Sequence, residues 1–171
     1  MKVVYLSDQR YYYDESGSWY TTASFPLPSL SKAFPPELKS WVFFGRLYPA
    51  PADVSSLFPI VSPPGISVEF RGPRSPFRGA YGFLKILPQY YGSIRHCIQD
   101  ADVIWAKFSY VASLLALLHR TGKGYFVTQL VGDPGDTLEM RGGWLWHVAA
   151  CFSRFLNRRA MANADVCLFV S

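Results

Sequence analysis

The sequence predicts an α/β fold: a Rossmann-like, mainly parallel sheet of about six strands with helices on both faces. Three observations predict it. Six short apolar runs recur along the chain, and helical patterns separate the later ones. Asp100-Ala101-Asp102-Val103 and Asn163-Ala164-Asp165-Val166 echo each other, each closing a helix and opening an apolar run. Such a repeat is expected of a βα unit, whose strands lie parallel and whose crossovers are right-handed. The 171 residues fit a single domain spanning 1–171.

In chain order, Val3, Val4, Tyr5 and Leu6 are apolar without alternation and read as a strand buried on both faces. A polar loop is expected over 9–22, rich in tyrosine and holding Gly17. Pro26 and Pro28 suit only the first turn of a helix, expected over 25–34. Strand two is expected over 40–47. Pro49, Pro51, Pro59, Pro63 and Pro64 then make 48–65 a loop, and 66–70 a third strand. Phe83, Leu84, Leu87, Tyr91, Ile94 and Ile98 recur at helical steps, so 79–98 is a helix that Pro88 should kink or split.

The second half is more regular. Strand four covers 103–106, and Ser109 stands where the N-cap of the next helix belongs. That helix runs through Leu114, Leu115 and Leu118. His119 and Arg120 complement its dipole and Gly122 stops it. Strand five covers 125–131, and a turn-rich loop covers 132–143. The last helix places Leu145, Val148, Ala149, Phe152, Phe155 and Leu156 on one stripe, read as its core face. Asp165 opens strand six, 166–170.

Composition narrows the function. Half the residues are hydrophobic, which excludes a disordered chain. The charge of +5 suits an anionic partner, whether nucleic acid, membrane surface or phosphorylated small molecule, without choosing among them. Cys97, Cys151 and Cys167 form no CxxC pair, so neither a disulfide framework nor a zinc site is expected, and a reducing cytoplasm suits them. The start MKVVYLSD lacks the apolar run of a signal peptide. The apolar stretch at 111–118 is short of the roughly 20 residues that span a bilayer. No GxGxxG follows the first strand, Thr121-Gly122-Lys123 lacks the upstream glycine of a P-loop, and no GxSxG occurs. His96, His119 and His147 lie on helices without ligand spacing. No metal or cofactor is expected.

What chemistry remains lies at the carboxyl ends of strands, where ligands of open α/β sheets bind. After strand one come Glu15, Ser16, Gly17, Ser18 and Trp19. A glycine there lets backbone amides approach an anion or a sugar, although a plain solvated turn reads the same way. Lys107 ends strand four and suits a phosphate or carboxylate, or simply solvent. Gly132-Asp133-Pro134-Gly135-Asp136 follows strand five. Asp133 there is the candidate catalytic carboxylate, able to bind sugar hydroxyls or accept a proton from an attacking hydroxyl, against the alternative of a local turn. Trp144, Trp146, Arg154, Arg158 and Arg159 on the last helix suit an anionic membrane interface, or a core helix with a solvated basic face.

Three runs carry a resemblance: DADVIWAKFSYVASLLALL, KGYFVTQLVGDPGDTLEM and LNRRAMANADVCLFVS. Together, over about 95–171, they resemble the N-terminal domain of family 4 (GT-B) glycosyltransferases, with residues 123–131 and 164–171 matching that family's "GKPYVV" and "ADxVxxVS" strands. The chain departs from the family in having one glycine, Gly17, in the loop where two are usual. The family's Glu-x7-Glu segment and donor-binding basic residues belong to a second domain, and the chain reads as cut before it. The resemblance implies an acceptor-binding half-enzyme. The complete enzyme would move a sugar from a nucleotide-sugar donor, held only with the second domain, to a saccharide or lipid-linked saccharide acceptor. It implies no nucleic-acid partner, cytoplasmic residence, and peripheral contact with the inner face of an anionic membrane. The substrate-binding set would be Gly17, Ser18, Lys107, Gly132 and Asp133, and the isolated chain would be inactive. A non-catalytic Rossmann-like binding or partner domain is the alternative.

Overall fold

The computed structural model describes residues 1–22, 35–74, 79–108, 111–119, 124–131, 136, 139–140 and 142–170. Its strands are β1 (Lys2–Tyr13), β2 (Trp19–Thr21), β3 (Ser40–Pro49), β4 (Phe58–Pro59), β5 (Ser67–Arg71), β6 (Val103–Phe108), β7 (Tyr125–Val131) and β8 (Val166–Val170). Its helices are α1 (Gly79–Ile98), α2 (Val111–Leu118) and α3 (Trp144–Ala162). All eight strands join one mixed sheet. Six of them are mutually parallel, in the spatial order β5-β3-β1-β6-β7-β8. Counted along the chain that order is 3-2-1-4-5-6, the doubly wound arrangement. Of the remaining two, β2 pairs antiparallel with the far end of β1, and β4 pairs antiparallel with β2.

Alternation divides the strands between two cores. On one face Val4, Leu6, Val42, Phe44, Ile104, Ala106, Phe126 and Leu130 meet the helices. From α1 come Tyr90, Ile94 and Cys97, at i, i+4 and i+7, all at most 1% exposed. From α2 comes Ala116, and from α3 Ala160. On the other face Trp41, Phe43, Tyr5, Trp105 and Phe70 form an aromatic layer. Trp41 stacks on Phe43 at 5.2 Å and Phe43 on Phe70 at 5.6 Å, and Tyr5 meets Trp105 edge-on at 5.6 Å. Each such pair adds about 0.5–1.5 kcal/mol beyond its buried area.

The expectation of helices on both faces is met on one face only among the described residues. Leu38, Ile60 and Ile66, from connections without helical structure, pack on the aromatic face. The helix expected over 25–34 lies outside the described residues, as does Ser109.

The structure departs from the sequence reading at several elements, β2 and β4 among them, which lie in segments expected to be loop. The tyrosine-rich segment expected to be loop extends β1 to Tyr13. A register shift between Leu6 and Arg10 carries the strand past the polar Ser7-Asp8-Gln9, and it then pairs with β3 and β2. Pro88 neither splits nor ends α1, which runs unbroken from 79 to 98.

The echo between the two Asp-Val junctions has a shared structural cause. The Asp102 N–H donates to the Lys2 carbonyl at 3.0 Å, and its carboxylate accepts the Lys2 N–H at 2.7 Å. The Asp165 N–H donates to the Phe126 carbonyl at 2.9 Å, and its carboxylate accepts the Phe126 N–H at 2.7 Å. Each aspartate thus stands one residue before its strand and grips the neighbouring strand through both backbone groups of one residue. We expect Asp165→Ala to lower unfolding free energy by about 1.5–3 kcal/mol, as for a hydrogen bond to a charged group, and Asp165→Asn to lose less. Denaturant titration checks this, and an unchanged midpoint for Asp165→Ala would refute the clamp.

Gly72 closes the sheet's other half. At φ +144°, a Cβ there would lie 1.7 Å from the Gly45 carbonyl oxygen, which no rotamer change relieves. Gly65, at φ +78°, faces open space. Gly72→Ala should cost more than about 2 kcal/mol and Gly65→Ala only about 1–2 kcal/mol, the left-handed penalty alone. Thermal melts of the two variants side by side test the difference.

Candidate functional site

The strand order makes β1 and β6 the switch point, because successive strands lead away from them in opposite directions. Ser7 and Lys107 each follow the last paired residues of these strands, Leu6 with Ala106. Ser7 is buried and Lys107 half-buried. The Lys107 carbonyl accepts the hydroxyl of Ser113 at 2.6 Å, which ties α2 to the end of β6.

Above this level β1 and β3 continue together. Arg10 stands directly opposite Arg46, and Tyr12 opposite Tyr48. The Arg10 guanidinium lies 5.9 Å from the centre of the Tyr48 ring, and the rings of Tyr12 and Tyr48 are 5.8 Å apart. Two arginines thus start from opposed positions near the carboxyl edge.

At the tip, β1 turns into β2 through Asp14–Ser18, and Gly17 takes φ +82°. The turn is organised by Asp14. Its carboxylate accepts the Ser16 hydroxyl at 2.7 Å, the Ser18 N–H at 2.8 Å and the Tyr20 hydroxyl at 3.0 Å. These bonds, with that from Ser16 leading, hold the carboxyl below its ordinary pKa. Tyr13, Asp14, Glu15, Tyr20, Pro51 and Val54 border an open cleft of about 550 Å³ between the turn and the segment after β3. Tyrosine rings beside carboxylates offer apolar faces and hydrogen-bond acceptors together, a combination that suits a polyhydroxylated ligand.

The predicted site residues are not all brought together. Gly17 and Ser18 lie at the hairpin tip. Lys107 lies lower, because Pro49, opposite Tyr13, stands five residues beyond Phe44, opposite Leu6, or about 16 Å along the strand. The amides proposed for a ligand are engaged: the Gly17 N–H donates to the Asp14 carbonyl at 3.2 Å and the Ser18 N–H to its carboxylate. Gly132 and Asp133 lie outside the described residues. Downstream, Asp136 and Glu139 receive Arg154 at 2.7 Å each, so this arginine faces its own chain. Sequence reasoning missed Tyr13, Asp14 and Tyr20. The signal was present in YYYDESGSWY, two aromatic runs around an Asp-to-Gly turn, which is a hairpin pattern.

Among the described residues no group of His, Cys, Asp and Glu could hold a metal ion. Comparison with protein-family models, with curated proteins and with solved structures returned no match.

A depressed carboxyl pKa contributes stability that is present above the ordinary aspartate range and lost as pH falls through the lower folded value. NMR titration of Asp14 should therefore show a midpoint below that of an unfolded aspartate. Ser16→Ala combined with Tyr20→Phe should raise it, and an unmoved midpoint would show that these hydroxyls do not set it.

Proposed function

We propose that this chain is the acceptor-binding, Rossmann-like half of a GT-B glycosyltransferase. The observation that carries this reading is the carboxyl edge of a 3-2-1-4-5-6 parallel sheet. There a tyrosine- and carboxylate-lined cleft tops the two strands that hold the opposed Arg10 and Arg46. The cleft suits saccharide hydroxyls, and the arginines suit the phosphate of a lipid-linked saccharide acceptor. The resemblance over 95–171 supports the same reading. Asp133, following β7, is the carboxylate proposed to take a proton from the acceptor hydroxyl. Lys107 is proposed to border the acceptor lower on the same edge, and Gly132 to contact it. A nucleotide-sugar donor would be held only with a second domain. A cytoplasmic setting suits the free thiols Cys97, Cys151 and Cys167. None of the described helices is long and apolar enough to cross a membrane.

The test is a pair of titrations on the isolated chain, followed by NMR. A diphosphate-linked oligosaccharide should shift resonances of Tyr13, Tyr20, Arg10 and Arg46, and Arg46→Ala should weaken its binding about tenfold, the loss of one charge-assisted contact. UDP- and GDP-sugars should bind no tighter than about 1 mM, roughly −4 kcal/mol. Micromolar binding of a nucleotide sugar, or saccharide shifts confined to other residues, would overturn the proposal.

A further inference from the structure

The apolar stripe read from the sequence as the core face of α3 faces outward. Trp144, Leu145, Val148, Phe152 and Phe155 are 74, 62, 56, 60 and 55% exposed, whereas the helix buries Ala150, Asn157 and Ala160. At steps of three and four residues, Trp144, Val148, Cys151, Phe155 and Arg159 follow one another along the outward side, and all five are exposed. Arg158 is exposed beside Arg159, and the helix contains no acidic residue. Before its amino end, Asp136 and Glu139 share Arg154 at 2.7 Å each, and the Asp136 side chain stays 69% exposed. One end of the stripe is therefore aromatic with acids beside it, and the other end is cationic.

We propose that α3 pairs antiparallel with α3 of a second copy of the chain, about a two-fold axis beside Cys151. The inference stands on α3 and does not require the glycosyltransferase reading. A two-fold contact uses one patch twice, so the patch must complement itself. With the axis between residues 151 and 152, Val148 faces Phe155 of the partner subunit and Trp144 faces Arg159 of the partner subunit. A guanidinium over an indole face is attractive, so each cationic end closes on an aromatic end. The same alignment carries the arginines to the end where Asp136 and Glu139 stand. A parallel pair would instead set Arg159 against Arg159. The area is sufficient for a weak dimer. Trp144, Phe152 and Phe155, side chains of about 150–250 Å² each and more than half open, offer on the order of 350 Å² per copy. Leu145, Val148 and the stems of Arg158 and Arg159 extend this toward the roughly 600 Å² per partner of small specific interfaces.

Sedimentation velocity of the full chain tests this. The sedimentation coefficient should rise from monomer toward dimer between about 1 and 100 µM, the range expected of an interface at the small end of the size classes. Val148→Glu and Phe155→Lys should each weaken self-association about tenfold. Both should leave the thermal midpoint in place, since these side chains stand more than half exposed. Mixed in equal amounts, the two variants should recover the association of the unaltered chain, because each glutamate then faces a lysine. Helix axes about 8–10 Å apart would set the Cys151 Cα atoms of the two copies about 4–7 Å from each other, within the span of a disulfide. Diamide should therefore link unaltered chains, and the mixture, through Cys151, but neither variant alone, and Cys151→Ser should prevent the link. A monomer throughout the concentration range, or a mixture that associates no better than its components, would overturn the proposal. So would a monomer that pellets with phosphatidylglycerol vesicles, which would assign the stripe to a bilayer.

Discussion

Parallel pairing on both sides of residues 3–6 of β1 is the constraint on which the other layers depend. Val3, Val4 and Leu6 are fully buried because β3 and β6 flank them while the helices and the aromatic layer cover them above and below. A slip of one residue would send Val4 and Leu6 to the aromatic face and Val3 and Tyr5 to the helices. The Asp102 grip on Lys2 fixes that register from outside the strand, and Asp165 repeats the device two strands away. Between them the two aspartates tie β6 to β1 and β8 to β7 through backbone groups. Apolar side chains alone would not distinguish one register from its neighbours so sharply.

This explains which parts of the fold were legible in the sequence. Doubly buried strands have no polar face to confuse the reading, and the strands at 103, 125 and 166 begin where the sequence places them. The aspartates were visible as a repeat before their role was. The hairpin was not legible as such, because Ser7-Asp8-Gln9 looks like the end of a strand. In three dimensions it is an irregularity beyond which Tyr11 returns to the core at full burial. Recognising this requires knowing that β3 runs on alongside, which is a tertiary fact. Of the candidate site, Gly17 follows β1 and Lys107 lies near the end of β6, but equal position relative to a strand end does not imply equal height when one strand is twice the length of the other.

The chemistry of the carboxyl edge follows from that inequality. Were β1 to stop at Leu6, Arg10 and Tyr12 would belong to a loop and no opposed arginine pair would exist. The extended strands instead hold Arg10 beside Arg46 at the spacing of adjacent strands, about 4.8 Å. Asp14, by contrast, is spent on its own turn. Its three bonds to Ser16, Ser18 and Tyr20 make it a structural carboxylate that shapes the cleft wall, so ligand hydroxyls would more readily meet the exposed Glu15.

The helix α3 shows the limit of periodicity as evidence. A regular apolar stripe establishes that a helix has an apolar side, and burial in the protein's own core is only one of the surroundings that can satisfy it. Here small residues face the sheet. Ala150 and Ala160 are fully buried, and Ala160 joins the cluster that holds Phe126, so a phenylalanine at that position would hold the helix away from the sheet. The large residues then have no place on the inner side, and they lie beside arginines with no acid among them. A helix whose inner face is built from two alanines and an asparagine and whose outer face carries tryptophan and phenylalanine has an apolar side that its own core does not use.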